Sequence, residues 1–261
     1  MPEIEDHPAG TPVWFDLMTS DLDAAIRFYG ELFGWEIEIG PEELGRYSMA
    51  TVRGRPVVGL MPLTAEDQQS SWTVFFRSDD VDGSAATITA HGGALLSEPT
   101  DVLDLGRTVT ATDASGAAFG LWRPGRHRGT GIVGEPGTPC WVELATRDTQ
   151  GASLFYRHVF GWDVSEPDAE HGHYQQFRLG EVDVAGLMPM IGPSWDAIAD
   201  HWMVDIQVAD ADEAVARCAA LGGTVAVPPM HVPPGRFAVL ADPQGARLSV
   251  LELVGAEFAT A

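Results

Sequence analysis

The chain repeats itself. Residues 12–21 read Pro-Val-Trp-Phe-Asp-Leu-Met-Thr-Ser-Asp, and residues 139–148 read Pro-Cys-Trp-Val-Glu-Leu-Ala-Thr-Arg-Asp. Phe28-Tyr29 with Phe33-Gly34-Trp35 returns as Phe155-Tyr156 with Phe160-Gly161-Trp162, at the same separation of 127 residues. The offset still holds at Tyr47/Tyr174 and Gly59/Gly186, and drifts only to 130 at Trp72/Trp202 and 129 at Arg107/Arg236. A repeat this long is a duplicated domain rather than a solenoid period, so every position has an internal twin. Each copy, at about 120 residues, is long enough to bury a core of its own.

Charge excludes several functions. A net charge of −23 speaks against nucleic acid, which needs a basic footprint. All fifteen basic residues are arginine, so Schiff-base and P-loop lysine chemistry are ruled out. No apolar run approaches the roughly 20 residues of a membrane span, and the acidic start Met1-Pro-Glu-Ile-Glu-Asp lacks the positive end of a signal peptide. Cys140 and Cys218 form no Cys-x-x-Cys pattern, which fits a reducing cytoplasm. The expected partner is a small molecule. The chain itself is read as a monomer with internal pseudo-symmetry or a homodimer.

Alternation predicts a strand over 12–19, with Val13, Phe15 and Leu17 on one face and Trp14, Asp16 and Met18 on the other. Asp21 caps a helix whose apolar positions keep helical spacing up to Gly34. Short strands follow near 35–39, 46–53 and 56–61. A second β-α-β-β-β unit opens at Trp72, with its helix over about 81–91 and a turn at Asp113-Ala-Ser-Gly116. The second copy repeats both units. The fold class is therefore α+β, four βαβββ units in two domains at 12–124 and 139–254. A Gly- and Pro-rich linker spans 125–138, and tails cover 1–11 and 255–261. Two such sheets rolled face to face would enclose a ligand cavity.

Asp21-Leu-Asp-Ala-Ala with Phe28-Tyr29 and Phe33-Gly34-Trp35 resembles the vicinal oxygen chelate group. That group includes glyoxalase I, bleomycin- and fosfomycin-resistance proteins and extradiol dioxygenases. Asp79-Asp80-Val81-Asp82 with Gly92-Gly93, and Asp242-Pro-Gln-Gly245, fit the same pattern. Gly10-Thr-Pro-Val-Trp14, Tyr47-Ser-Met-Ala-Thr51, Gly120-Leu-Trp122 and Glu135-Pro-Gly-Thr138 resemble duplicated actinobacterial members, many of them named as hydroxylases. The likeness covers roughly 12–254. It is specific for fold and weak for reaction.

In metal-using members the ion is held by His, Glu or Gln on the cavity face. Carried over by resemblance, those positions hold Trp14 and Trp141, Thr73 and Met203, Gly120 and Ser249, Gly59 and Gly186. None is a ligand of the required kind, so no metal or other cofactor is expected. A different metal set, His171 and His173 with Glu143 and His201 or His231, needs 171–173 to be a strand. A solvated loop is the other reading of that segment.

What faces the cavity instead is a Trp and a carboxylate in each half: Trp14 with Asp16, and Trp141 with Glu143. Buried, such an acid gains a raised pKa and can serve as general acid or base; satisfied by hydrogen bonds, it merely holds the sheet. Both readings stand. Tyr47 and Tyr174 are expected to bring hydroxyls to the same pockets. Arg107 and Arg236 could clamp an anion or form structural ion pairs. Trp72 and Trp202 could stack on a planar ligand or pack in the core. Phe75 and Arg77 face the first cavity, while their twins Asp205 and Gln207 face the second; Thr108 becomes Phe237. The second cavity, with Glu143, Asp205, Gln207, His171 and His173, is the more polar and the place expected for chemistry. Cys140 should point to the helix side as an inert thiol.

Two function classes follow. One is a metal-free binder of an aromatic or polyketide-type metabolite. The other is a lyase, isomerase or hydroxylase using Glu143 or Asp16 as acid or base, with Tyr174 beside it. Oxygen chemistry is the weaker branch, since no flavin or nicotinamide fingerprint accompanies the missing metal set.

Overall fold

The structure is a computed structural model that describes residues 3–254 apart from 66 and 234. The expected C-terminal tail, 255–261, lies outside the described residues. The first unit comprises β1 (Pro12–Thr19), α1 (Leu22–Phe33), β2 (Glu36–Glu38), β3 (Ser48–Val52) and β4 (Arg55–Pro62). The second comprises β5 (Ser71–Arg77), α2 (Val81–Ala90), β6 (Ala94–Leu95), β7 (Thr100–Val102), β8 (Gly106–Thr112) and β9 (Ala118–Pro124). In the other half, β10 (Pro139–Thr146), α3 (Thr149–Phe160), β11 (Asp163–Val164), β12 (Gln175–Leu179) and β13 (Val182–Pro189) are followed by the fourth unit. This is β14 (His201–Gln207), α4 (Ala211–Ala220), β15 (Thr224–Val232), β16 (Gly235–Ala241) and β17 (Arg247–Leu253). The α+β class and the four units are as the repeat predicts, with β6 and β7 of the second unit both pairing β8 where the fourth unit has the single β15.

The two units of a half do not stack face to face. They join edge to edge, through antiparallel pairing of β1 with β5 and of β10 with β14. Each half is thus one mixed sheet, ordered β2-β3-β4-β1-β5-β9-β8-β6 or β11-β12-β13-β10-β14-β17-β16-β15. The first and last strands of each unit are parallel neighbours, because the helix between them supplies the crossover.

Each helix starts at an Asp whose carboxylate accepts a backbone N–H of the first turn: Asp21 from Ala24, Asp80 from Gly83, Asp148 from Gly151 and Asp210 from Glu213. The helices α1 and α3 end at Gly34 and Gly161, both left-handed, with φ of 73° and 75°.

The helix faces of the two sheets turn toward each other and share a single core. Phe15, Leu17 and Phe76 belong to the same buried cluster as Leu144, Trp162 and Trp202. The Phe76 ring lies 4.9 Å from Trp202 and 5.3 Å from Trp162. The Phe-Tyr and Phe-Gly-Trp motifs build this junction. Tyr29 donates to Asp242 of the other half at 3.0 Å, and its twin Tyr156 donates to Asp113 at 3.0 Å. Trp35 Nε1 donates to Gly137 O at 2.6 Å and Trp162 Nε1 to Gly10 O at 2.9 Å. Buried polar groups need such partners, so the motif residues specify one docking geometry as well as filling space.

Arg107 and Arg236 take the ion-pair alternative here, Trp72 and Trp202 the core one in place of ligand stacking, and the expected tail is corrected. Trp72 and Trp202 do not point to the face opposite the helices. They share a parity with Val74, Phe76, Val204 and Ile206, lie in the core, and donate to Tyr29 and Tyr156. Arg107 and Arg236 also point to the helix side. Each grips an acid of its neighbouring helix with two nitrogens, Asp82 at 2.8 Å and Asp212 at 2.7 and 2.9 Å. Residues 3–11 are packed rather than a loose tail. Glu3 bridges to Ile132, His7 Nε2 meets Thr130 O at 2.9 Å, and Gly10 N donates to Arg77 O at 2.8 Å.

Candidate functional site

The face of each sheet opposite the helices carries the polar chemistry. In the first half Trp14, Asp16 and Tyr47 form a closed triangle. Trp14 Nε1 lies 2.8 Å from Asp16 Oδ1 and 2.7 Å from Tyr47 OH, and Tyr47 donates to Asp16 at 2.6 Å. Burial pushes the Asp16 carboxyl up to about 6, although both hydrogen bonds oppose the shift. Phe75 faces this cluster as predicted and packs with Val13, Trp14 and Trp122. Arg77 turns to the rim instead, where its guanidinium binds Asp6, Asp79 and the His7 carbonyl.

The second half keeps this geometry and adds acid. Trp141 Nε1 donates to Tyr174 OH at 2.9 Å, and Tyr174 hydrogen-bonds Glu143. On the neighbouring strand Asp205 is the register partner of Trp141, as Met203 is of Glu143. The two carboxylates are therefore diagonal neighbours on one face, with backbones roughly 7–8 Å apart. Both are buried, at 8 % and 2 % exposure. Burial raises both pKa values; the charge of Asp205 raises Glu143 further, against the pull of Tyr174, while a bond from Ser249 holds Asp205 back. Two such acids titrate as a coupled pair, each raised from its ordinary value chiefly by burial. Gln207, two residues along the same row, has a buried Oε1 with no hydrogen-bond partner among the described residues.

Glu143, Asp205, Gln207, Trp141 and Tyr174 thus come together as expected, and Ser249, read from sequence only as a lost ligand, joins them. His201, the register partner of Ala145, lies on the same face, whereas His171 and His173 do not join the group. Residues 169–171 form a 3-10 turn capped by Asp168, Gly172 and His173 are left-handed with φ of 70° and 64°, and the exposed His171 pairs with Asp168 at 2.7 Å. The Asp cap and the glycine favour a turn over the strand that would align two imidazoles. His231 stands beside Arg236, 3.4 Å away, outside this group.

Cys140 is buried and reaches the Asp205 carbonyl at 3.4 Å; burial pushes its thiol well above the usual range, so it is inert. A cavity of about 60 Å³ lies between the halves, lined by residues such as Pro12, Thr130, Pro139, Cys140 and Trp141.

The residues at the family's metal positions do not fit a divalent ion. Trp14 and Trp141 offer indole donors. At Gly59 and Gly186 there is no room for a ligand side chain, since a Cβ would overlap the hydroxyl of Tyr47 or Tyr174; at Gly120 it would overlap the Phe75 ring. Among the described residues no group of three His, Cys, Asp or Glu could hold a metal ion. Gly186→Ala tests the tyrosine's placement. It should cost about 1–3 kcal/mol by overpacking, measured by urea unfolding, and in a Tyr174→Phe background that cost should fall, because the hydroxyl that the Cβ would overlap is gone.

Comparison with known proteins agrees with this architecture. Residues 11–121 match the model of the glyoxalase/bleomycin resistance protein/dioxygenase superfamily, and residues 141–251 match that of a glyoxalase-like domain. CFP32 of Mycobacterium tuberculosis, provisionally named a glyoxylase, is 39% identical over 97% of this chain and 98% of its own. The anthracycline biosynthesis protein DnrV of Streptomyces peucetius is 34% identical over 94% of each chain. Among solved structures, the Mn(II)-bound glyoxalase from Novosphingobium aromaticivorans superposes with a TM-score of 0.65 at 19% identity. It covers 97% of this chain and 85% of that one. The 2,3-dioxygenase LapB from Pseudomonas sp. KL28 gives 0.66 at 14%, over 97% and 95%. At those identities the likeness is one of fold. The chain belongs to the glyoxalase/bleomycin resistance/dioxygenase superfamily, with one glyoxalase-like domain in each half.

Proposed function

We propose that the second half holds a metal-independent site for an aromatic or polyketide-type metabolite, and that Glu143 and Asp205 move a proton on it. The observation that carries this reading is the buried acid pair. Two carboxylates on one face, neither facing a cation, are costly to a fold that needs them only for structure. Raised toward neutrality by burial, they can change protonation state near neutral pH, which suits general acid–base work at a carbonyl and its adjacent carbon or hydroxyl. The reaction class is then a lyase or isomerase. The polyketide assignment draws on the names of the anthracycline biosynthesis relatives. Indole, tyrosine, methionine and Phe237 surroundings suit a planar, largely apolar ligand.

A pure binder is the second reading. It draws on the first half, where the same Trp–acid–Tyr arrangement closes on itself through Asp16 Oδ1. Metal analysis of untagged protein comes first: stoichiometric Zn, Ni, Mn or Fe would sink the metal-independent claim. A thermal-shift screen with quinones, polyketides and aldehydes then supplies a ligand. Glu143→Gln is expected to keep binding within a few-fold and lower turnover by at least 100-fold. Unchanged turnover would remove the proton-transfer role, and a ligand bound without turnover would leave the binder.

A further inference from the structure

We propose that the imidazole of His127 is a built-in occupant of an aromatic slot in the first half, and that a planar aromatic molecule of similar size displaces it. The linker after β9 does not leave the domain directly. Gly125 N and His127 N donate to Leu105 O at 2.8 and 3.1 Å, and Arg126 N donates to Asp104 O at 3.0 Å. Further on, Thr130 N donates to Val13 O at 2.9 Å and Gly131 N to Pro56 O at 2.8 Å. Between these anchors the chain forms a strap that carries His127 onto the face opposite the helices.

There the ring meets aromatic walls. It lies edge-on to Trp14, with centroids 4.3 Å apart at 88°, and 5.5 Å from Trp122. Trp122 Nε1 donates to the His127 carbonyl at 3.1 Å, so the strap's backbone, not the ring, is what is polar-bonded. Phe75, lying over Gly120, belongs to the same buried cluster as Trp14 and Trp122. Nε2 of His127 is buried and meets no hydrogen-bond partner among the described residues.

That combination is unusual for a residue serving only as filler. A buried ring nitrogen without a partner costs roughly 1–3 kcal/mol, and Phe or Leu would fill the same volume without that cost. The ring is neutral, because burial lowers its pKa to about 4, helped by nearby His7. Asp16 is engaged by Trp14 and Tyr47, Arg77 by Asp6 and the His7 carbonyl, and Arg126 by Asp104. The slot therefore selects a flat, uncharged heteroaromatic ring and holds the strap's own ring by van der Waals and edge contacts alone. A competitor that stacks on Trp14 and finds a partner for its nitrogen gains what His127 forgoes.

Benzimidazole is a suitable probe, with His127→Ala and His127→Phe as the two variants. In the wild-type protein, titration should move the His127 ring resonances, identified by their loss in His127→Ala, from ring-current-shifted to solvent positions. His127→Ala should bind the probe at least tenfold more tightly than wild type and regain lost thermal stability on binding. His127→Phe, which keeps the plug and removes the unpaired nitrogen, should be at least as stable as wild type and bind the probe less well. Unmoved His127 resonances at saturating probe, equal affinity in wild type and His127→Ala, or a His127→Phe less stable than His127→Ala would each overturn the proposal.

Discussion

Raising the pH from about 5 to 8.5 will destabilise this protein, and Asp205→Asn will remove much of that loss. Burial lifts Asp205 to about 7 and Glu143 to about 8, and lifts Asp16 to about 6. Groups raised in the folded state bind more protons there than in the unfolded chain. Stability is therefore complete below the unfolded values near 4 and falls as pH climbs through the folded ones. Each proton held only by the folded state contributes a slope of about 1.4 kcal/mol per pH unit. Replacing Asp205 by the neutral amide deletes one such group and removes the charge that pushes Glu143 upward.

The Asn variant should thus show a flatter stability profile between pH 5 and 8.5. Its gain at the alkaline end should be several degrees in Tm, at about 2–4 °C per kcal/mol for this chain length. Comparing variant with wild type cancels most of the repulsion arising from a net charge of −23. Parallel pH profiles for the two proteins would show that the acids are solvated and carry no such strain.

Trp162→Ala will be the most damaging single truncation, costing about 3–5 kcal/mol. Trp162 is fully buried, stacks on Tyr156 at 5.4 Å and packs on Phe177 at 4.9 Å in its own half, and reaches Phe76 in the other. Its loss also leaves the Gly10 carbonyl without the indole N–H. Because the halves share one core, the wild-type chain should unfold in a single transition by calorimetry and by urea, and the variant should shift it without splitting it. A cost under 1 kcal/mol, or a wild-type profile resolving into two domain transitions, would contradict the shared core.

The internal repeat made the fold readable, since twin motifs at a constant offset define the units before any propensity is weighed. The first-strand alternation was equally plain, and it put Trp14, Asp16, Trp141 and Glu143 together. For Trp72 and Trp202 strand parity decides between the two readings: the alternation that sends Phe75 and Asp205 to the face opposite the helices sends these two to the core. His171 and His173 fell to local turn chemistry, which Asp168 and Gly172 announce. His127 left a fainter trace, a lone imidazole in a glycine-rich linker. Nothing in strand or helix periodicity reports where a linker folds back, so only tertiary structure places that ring against Trp14.

The indole bonds from Trp35 to Gly137 and from Trp162 to Gly10 have one further consequence. Each half fastens the chain just before the other half's first strand, so a single half in isolation would present a severed lock and an uncovered core face. A chain of half this length could close both only by pairing with a second copy. The present molecule is thus an unequal dimer written into one polypeptide, with its stoichiometry fixed by the linker and the outer faces of its two sheets free to differ.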